Sequence, residues 1–278
     1  MLKNWLTTSP RNPSQYKFPV IDISELKESD DEVAIALGNL ILQSHGNPQM
    51  IETELLLLLE DITNLNLDVI KEYLEKEILP KRERVIVRVG NFGEILAANL
   101  LIKFEDFEFP IYKLRLREKK DWAAKLTDIC LIKKNEGEIP CVFYGEVKTR
   151  SDKLDVNTGI EGHNSLATDD ALENPEILNF ICKWLYETQK FEEATFYSKL
   201  RLGKTMYTKR HELFIVHNLE TWNDEVLQRL HDFEIDVRLE NFAVRVIYVS
   251  SLRDLIDLSY EKCVNAAEDL IYGKERVS

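Results

Sequence analysis

The nine residues CVFYGEVKT, at positions 141–149, are the stretch that decides the fold. Their β-branched and aromatic side chains predict a strand, in which successive side chains point to opposite faces. Glu146 and Lys148 therefore share one face, with their Cα atoms roughly 6.5–7 Å apart. The pattern places a carboxylate and an ammonium group side by side on one strand.

A second strand is predicted just upstream, where Asp128 precedes the apolar run ICLI. If the polar segment Lys133–Ile139 joins the two strands as a hairpin, Asp128 approaches Glu146 across the pair. Two neighbouring carboxylates in partly buried surroundings repel each other unless a cation or a proton lies between them. Mg²⁺ prefers such oxygen ligands, and it lowers the pKa of bound water and neutralises charge on a phosphate. Lys148 would then orient the attacking water.

A third acid lies on a predicted helix that begins near residue 91, in the segment GNFGEILAANLL at positions 90–101. The segment is apolar on nearly every side, so this helix is expected to be buried. Glu94 is its single carboxylate and therefore needs a partner. The order of Glu94, Asp128, Glu146 and Lys148 along the chain favours metal-dependent hydrolysis of phosphodiester bonds. The alternative is an exposed strand face that carries a cross-strand ion pair.

The pattern of predicted helices and strands divides the chain into two regions. Residues 1–80 are predicted to form a helical N-terminal region, with an extended leader or edge segment over residues 1–20 and helices at about 30–44 and 50–79. Residues 81–278 alternate short strands with helices, which indicates an α/β fold with a mixed sheet flanked by helices. Further strands are expected at about 109–116, 212–217 and 243–250, and helices at about 171–197, 223–231 and 252–272. Residues 151–170 are expected to form a long polar connection.

Composition limits the classes of function. The chain has 278 residues, a formal net charge of −13 and a pI near 5.0, which argues against nucleic-acid binding through overall charge. The four cysteines contain no CxxC pair, and we expect reduced, buried thiols. With no secretory signal and no stretch of about 18–20 apolar residues, a cytoplasmic protein without a membrane segment is predicted. A local basic segment, Lys113–Lys125, is a candidate phosphate track on a predicted strand face.

Three stretches resemble a known family: GNFGEIL at positions 90–96, DWAAKLTDI at 121–129 and YGEVKT at 144–149. They are similar to the HamA C-terminal domain family, the nuclease subunit of the Hachiman antiphage system, which acts with the helicase subunit HamB. The similarity covers about residues 85–250 and is specific in the order of the motifs.

The resemblance implies a restriction-endonuclease-like core of the PD-(D/E)xK kind and Mg²⁺-dependent cleavage of DNA, with Mn²⁺ as a possible substitute. Carried over by position, Asp128 and Glu146 would bind the metal, Lys148 would be the catalytic lysine, and Glu94 the acid on the helix and a third metal ligand. The N-terminal region would dock to the helicase or regulate it. Two alternatives stay open: a module that mainly docks to and restrains a helicase, and a nuclease that acts on RNA.

Overall fold

Six strands form one sheet in a computed structural model of the chain, which describes residues 2–59, 67–117, 119–121, 127–134, 137–153, 155–168, 172 and 176–273. In spatial order the strands are β1 (Leu6–Pro10), β2 (Val20–Glu25), β6 (Ala243–Val249), β5 (Thr208–Asn218), β4 (Cys141–Arg150) and β3 (Ile129–Lys133). The four inner strands are parallel, and β1 and β3 run antiparallel at the edges. Helices cover both faces of the sheet, and all seven residues of β6, including Arg245, are buried.

Helices form the outer layers. In the described residues they are α1 (Leu2–Trp5), α2 (Asp31–His45), α3 (Pro48–Leu59), α4 (Leu67–Tyr73), α5 (Val85–Glu105), α6 (Thr158–Leu166), α7 (Glu176–Glu187), α8 (Phe191–Arg201), α9 (Glu225–Asp232), α10 (Leu252–Glu261) and α11 (Cys263–Tyr272). A short π-helix follows α4 at Leu74–Ile78, and a 3₁₀ helix spans Lys113–Leu116. Helices α1–α5, α10 and α11 pack on one face, and α6–α9 on the other. The predicted α/β class with a mixed sheet and a helical N-terminal region is confirmed.

The first 80 residues share the sheet and the core with the rest of the chain. Strand β2 pairs in parallel with β6, and the buried side chains of α2 and α3 pack in the same cluster as those of α5 and α10. Contacts therefore cross the boundary that the sequence predicts at residue 80, and the division into two functional regions stays a prediction. Deleting residues 1–80 would remove β1 and β2 from the sheet.

Helix α5 is the central helix of its layer. By length and composition alone it could cross a membrane, because an 18-residue window has a mean hydropathy of 1.6. The predicted absence of an apolar stretch of this length is therefore wrong for this window. However, 61% of the window is buried inside the protein, as in the core helix of a soluble fold, and such a single helix is weak evidence for a membrane segment.

Several local predictions were wrong. The expected strand at 109–116 is not formed: residues 113–116 form a 3₁₀ helix, and an isolated bridge joins Glu108 to Ile132 just before the segment. The expected polar connection at 151–170 contains α6, which packs so closely on β5 that a Cβ atom on Gly162 would lie 2.3 Å from Leu213. The long helix at 171–197 is interrupted: α7 ends at Glu187 and α8 begins at Phe191. In these places tertiary packing outweighs the local sequence pattern.

Candidate functional site

The hairpin of β3 and β4 brings Asp128 beside the Glu-x-Lys pair. Ile129, the first residue of β3, pairs with Gly145, so Asp128 lies opposite Glu146. Its Oδ2 atom accepts a hydrogen bond of 2.9 Å from the backbone N–H of Val147. This bond fixes the Asp128 carboxylate against β4, as the hairpin prediction required.

Glu146 and Lys148 lie on the part of β4 that extends beyond β3, since β3 pairs only with residues 141–145. The Lys148 Nζ atom donates to Glu146 Oε1 at 2.7 Å and to Ser165 Oγ of α6 at 3.2 Å. The Lys148 side chain is 21% exposed and the Glu146 side chain 12% exposed. The pair is therefore half enclosed, with one side open where the edge strand ends.

Glu94 reaches this edge because α5 packs closely on β4. A Cβ atom on Gly93 would lie 1.9 Å from Thr149 Oγ1 and 3.2 Å from Val147 Cγ1, so only glycine permits the approach. The next residue, Glu94, is then directed towards the end of β3. The glycine just before the acid explains why the GNFGEIL motif has this order.

Lys113, on the 3₁₀ helix, links Glu94 to Asp128. Its Nζ atom lies 3.2 Å from Glu94 Oε2 and 3.7 Å from Asp128 Oδ1, and it donates to the Thr127 carbonyl at 2.8 Å. These three charged side chains line a cavity of about 40 Å³, whose other walls are mainly apolar. The cavity has room for a few water molecules. Lys113 therefore lies in the site, and not on the basic strand face that the sequence pattern predicts.

Two carboxyl groups of the site, Glu94 and Glu146, have pKa values above the usual range. Burial raises the pKa of Glu94 to about 8; Lys113 opposes the shift, and the charges of Asp128 and Glu146 add to it. Burial also raises the pKa of Glu146 to about 7, with a further increase from Asp128 and a decrease from Lys148. Mutual repulsion among buried acids is the electrostatic setting in which a cation is stabilised.

The residues present fit a hard divalent cation in part. The buried Glu94 Oε2 atom has Lys113 at ion-pair distance but accepts no hydrogen bond from a described residue, and Asp128 and Glu146 are paired across adjacent strands. However, within the described ranges no three His, Cys, Asp or Glu side chains converge closely enough to hold an ion in this arrangement. Asp128 and Glu146 fit as two ligands, and the assignment of Glu94 to the same ion stays a prediction.

These pKa shifts predict that the metal-free protein loses stability as pH rises from about 6.5 to about 8.5. The unfolded chain releases the Glu94 and Glu146 protons near pH 4.5, whereas the folded chain keeps them to about pH 8 and 7. The stability that these two acids contribute is therefore greatest below about pH 4.5, and the last part of it is lost as pH rises through the folded pKa values. The buried His45, whose pKa burial lowers to about 3, acts in the opposite sense only below about pH 6.5.

Urea unfolding in EDTA across this pH range measures the effect, with a Glu94→Gln, Glu146→Gln double variant as the control. The double variant should show a flatter profile. Parallel profiles for the two proteins would contradict the prediction.

Other predicted features occupy different places. Arg115 does not share a strand face with Lys113; it donates to the Gln43 carbonyl at 2.8 Å and lies over the Tyr112 ring. His163, expected in the connection at 151–170, is buried on α6 and accepts a hydrogen bond from the Asp236 N–H. Residues 122–126 of the DWAAKLTDI motif lie outside the described residues.

Comparison with models of protein families identifies a family for this chain. The model of the HamA family matches residues 1–263, so the similarity includes the N-terminal region that the motifs alone did not reach. No curated protein matches the chain at a significant level. HamA proteins are components of the Hachiman antiphage defence system. Because the match spans nearly the whole sequence, this chain belongs to the HamA family.

Proposed function

We propose that this protein is a metal-dependent deoxyribonuclease of the PD-(D/E)xK kind, which hydrolyses DNA phosphodiester bonds as the effector of its defence system. The observation that carries the proposal is the hairpin, which places Asp128 opposite Glu146 with Lys148 two residues further along β4. A hydrogen bond from Val147 orients Asp128, so the acid pair is preorganised.

Each residue of the site has a distinct task in this proposal. Asp128 and Glu146 would hold Mg²⁺, or Mn²⁺ in its place, with Glu94 as a third ligand from the helix side. The bound ion supplies Lewis-acid stabilisation of the phosphate and lowers the pKa of water. Lys148 is held by Glu146 and Ser165, and its ammonium group can bind a phosphate oxygen and position the attacking water.

The charges near the site support dependence on a partner for DNA binding. The chain carries a net charge of −13, and three cations on the elements of the site already have partners: Lys113 pairs with Glu94, Lys148 with Glu146 at 2.7 Å, and Arg150 with Glu161 at 2.9 Å. Affinity for DNA depends on cations that are free to contact phosphates. We therefore propose that a HamB-like helicase subunit delivers DNA to the site in the cytoplasm.

The test is cleavage of labelled DNA by the purified protein, alone and with the helicase subunit. We expect cutting in Mg²⁺ or Mn²⁺ with the helicase present, no cutting in EDTA, and slower cutting by the chain alone. An RNA substrate of the same sequence serves as the control, because the site contacts phosphate rather than sugar. If the protein cuts RNA in preference to DNA, RNA is its substrate and the DNA assignment is wrong. A stable complex that cuts neither substrate would favour the docking module instead.

A further inference from the structure

Lys113 has an unusual position for a lysine. Only 11% of its side chain is exposed, and its ammonium group lies between two carboxylates from different elements, Glu94 of α5 and Asp128 at the start of β3. In the described part of the chain, it is the only cation within 4 Å of either acid. It is therefore the counter-ion of this half of the site.

The backbone around Lys113 is fixed independently of the acids. Arg115 donates to the Gln43 carbonyl of α2, and its guanidinium carbon lies 4.0 Å from the centre of the Tyr112 ring. Lys113 itself is joined to the chain by a flexible four-carbon stem. The ammonium group can therefore leave the carboxylates by side-chain rotation while the 3₁₀ helix stays in place.

The same two carboxylates belong to the proposed metal set, so Lys113 and a divalent ion compete for them. A positive charge close to Asp128 Oδ1 repels a second cation on that carboxylate, and its removal favours the second cation. Before metal binds, however, Lys113 offsets the repulsion between the buried acids. Lys113 therefore stabilises the metal-free protein and destabilises the metal-bound protein.

We propose that Lys113 is a positioning residue of the site: it holds Glu94 and Asp128 in place as their built-in cation and is displaced when the divalent ion binds. The inference rests on the proposed function, because it concerns the same metal site. It predicts that the metal affinity of the wild-type protein is lower than the carboxylates alone would give.

The experiment compares Lys113→Met with the wild-type protein in two measurements. By calorimetry with Mn²⁺ alone, the variant should bind about tenfold more tightly. Its thermal midpoint in EDTA should be lower than that of the wild-type protein, and Mn²⁺ should raise it by more. Lys113→Arg keeps the charge and should behave as the wild type does.

The matched control is Lys133→Met, since Lys133 donates to the Glu105 carbonyl at 2.9 Å much as Lys113 donates to Thr127. It should leave Mn²⁺ binding unchanged. If Lys113→Met lowers the midpoint equally with and without Mn²⁺ and binds Mn²⁺ no more tightly, Lys113 is a scaffold residue and the inference is wrong, while the nuclease proposal stands. If the wild-type protein binds no Mn²⁺, both are wrong.

Discussion

Replacing Glu146 with Gln or Lys148 with Met should lower the rate of DNA cleavage by about three orders of magnitude or more, with the protein still folded. Glu146→Gln removes the negative charge of one proposed metal ligand and keeps its shape. Lys148→Met removes the ammonium group that Glu146 and Ser165 hold in position. Each loss falls on an interaction that stabilises the transition state, so kcat falls more than KM changes.

The measurement is single-turnover cleavage in Mg²⁺ by the complex with the helicase subunit, with circular dichroism to show that each variant is folded. Lys262→Met is a matched control, because the Lys262 side chain is also 21% exposed and also pairs with an acid, Asp31 at 2.8 Å. It should keep normal cleavage. A Glu146→Ala, Lys148→Ala double variant that cuts at the wild-type rate would rule out this site as the catalytic centre.

The residues of the site differ in how far sequence alone could place them. Glu146 and Lys148 follow from the two-residue period of a strand, and Asp128 from the short polar loop between two strands. Glu94 was inferred from a single carboxylate in an apolar helix, and the structure adds Gly93 as the reason that the helix can approach β4. Local patterns are sufficient here because the chain encodes these contacts in neighbouring elements.

Lys113 could not be found in the same way. The alternation of Lys113, Arg115 and Arg117 is typical of an exposed strand face, but the segment forms a 3₁₀ helix whose position depends on the Gln43 carbonyl, 72 residues away along the chain. Strand β2 was missed for a similar reason, since its partner β6 lies more than 200 residues further on. Long-range pairing leaves little local signal.

A group of four charges, two of them buried, fastens the C-terminal end of α5 to the sheet. Arg245 and Arg210 each donate through Nε to Glu212 at 2.5 Å, and both also pair with Glu105, the last residue of α5. The Glu212 side chain is 1% exposed and that of Arg245 is 5% exposed. Because the same helix carries Glu94, this group also helps to position the site.

Replacing Arg245 with Met should reduce the free energy of unfolding by about 3–5 kcal/mol, since it leaves the buried Glu212 and the partly buried Glu105 with one arginine between them. An Arg245→Met, Glu212→Leu double variant restores the charge balance through Arg210 and Glu105, and should recover much of the loss. Urea unfolding at one pH measures both. The control is Arg229→Met, which breaks the exposed pair with Glu225 and should cost less than about 1 kcal/mol.

The double variant decides what the four charges contribute. If it is more stable than Arg245→Met alone, the cost of the single variant comes from uncompensated charge in a desolvated setting rather than from lost packing. If the double variant loses as much free energy of unfolding as Arg245→Met and Glu212→Leu lose together, packing of the arginine is the larger contribution. Its guanidinium carbon lies 5.7 Å from the centre of the Phe214 ring. If Arg245→Met reduces the free energy of unfolding by less than about 1 kcal/mol, water reaches the four charges and screens them.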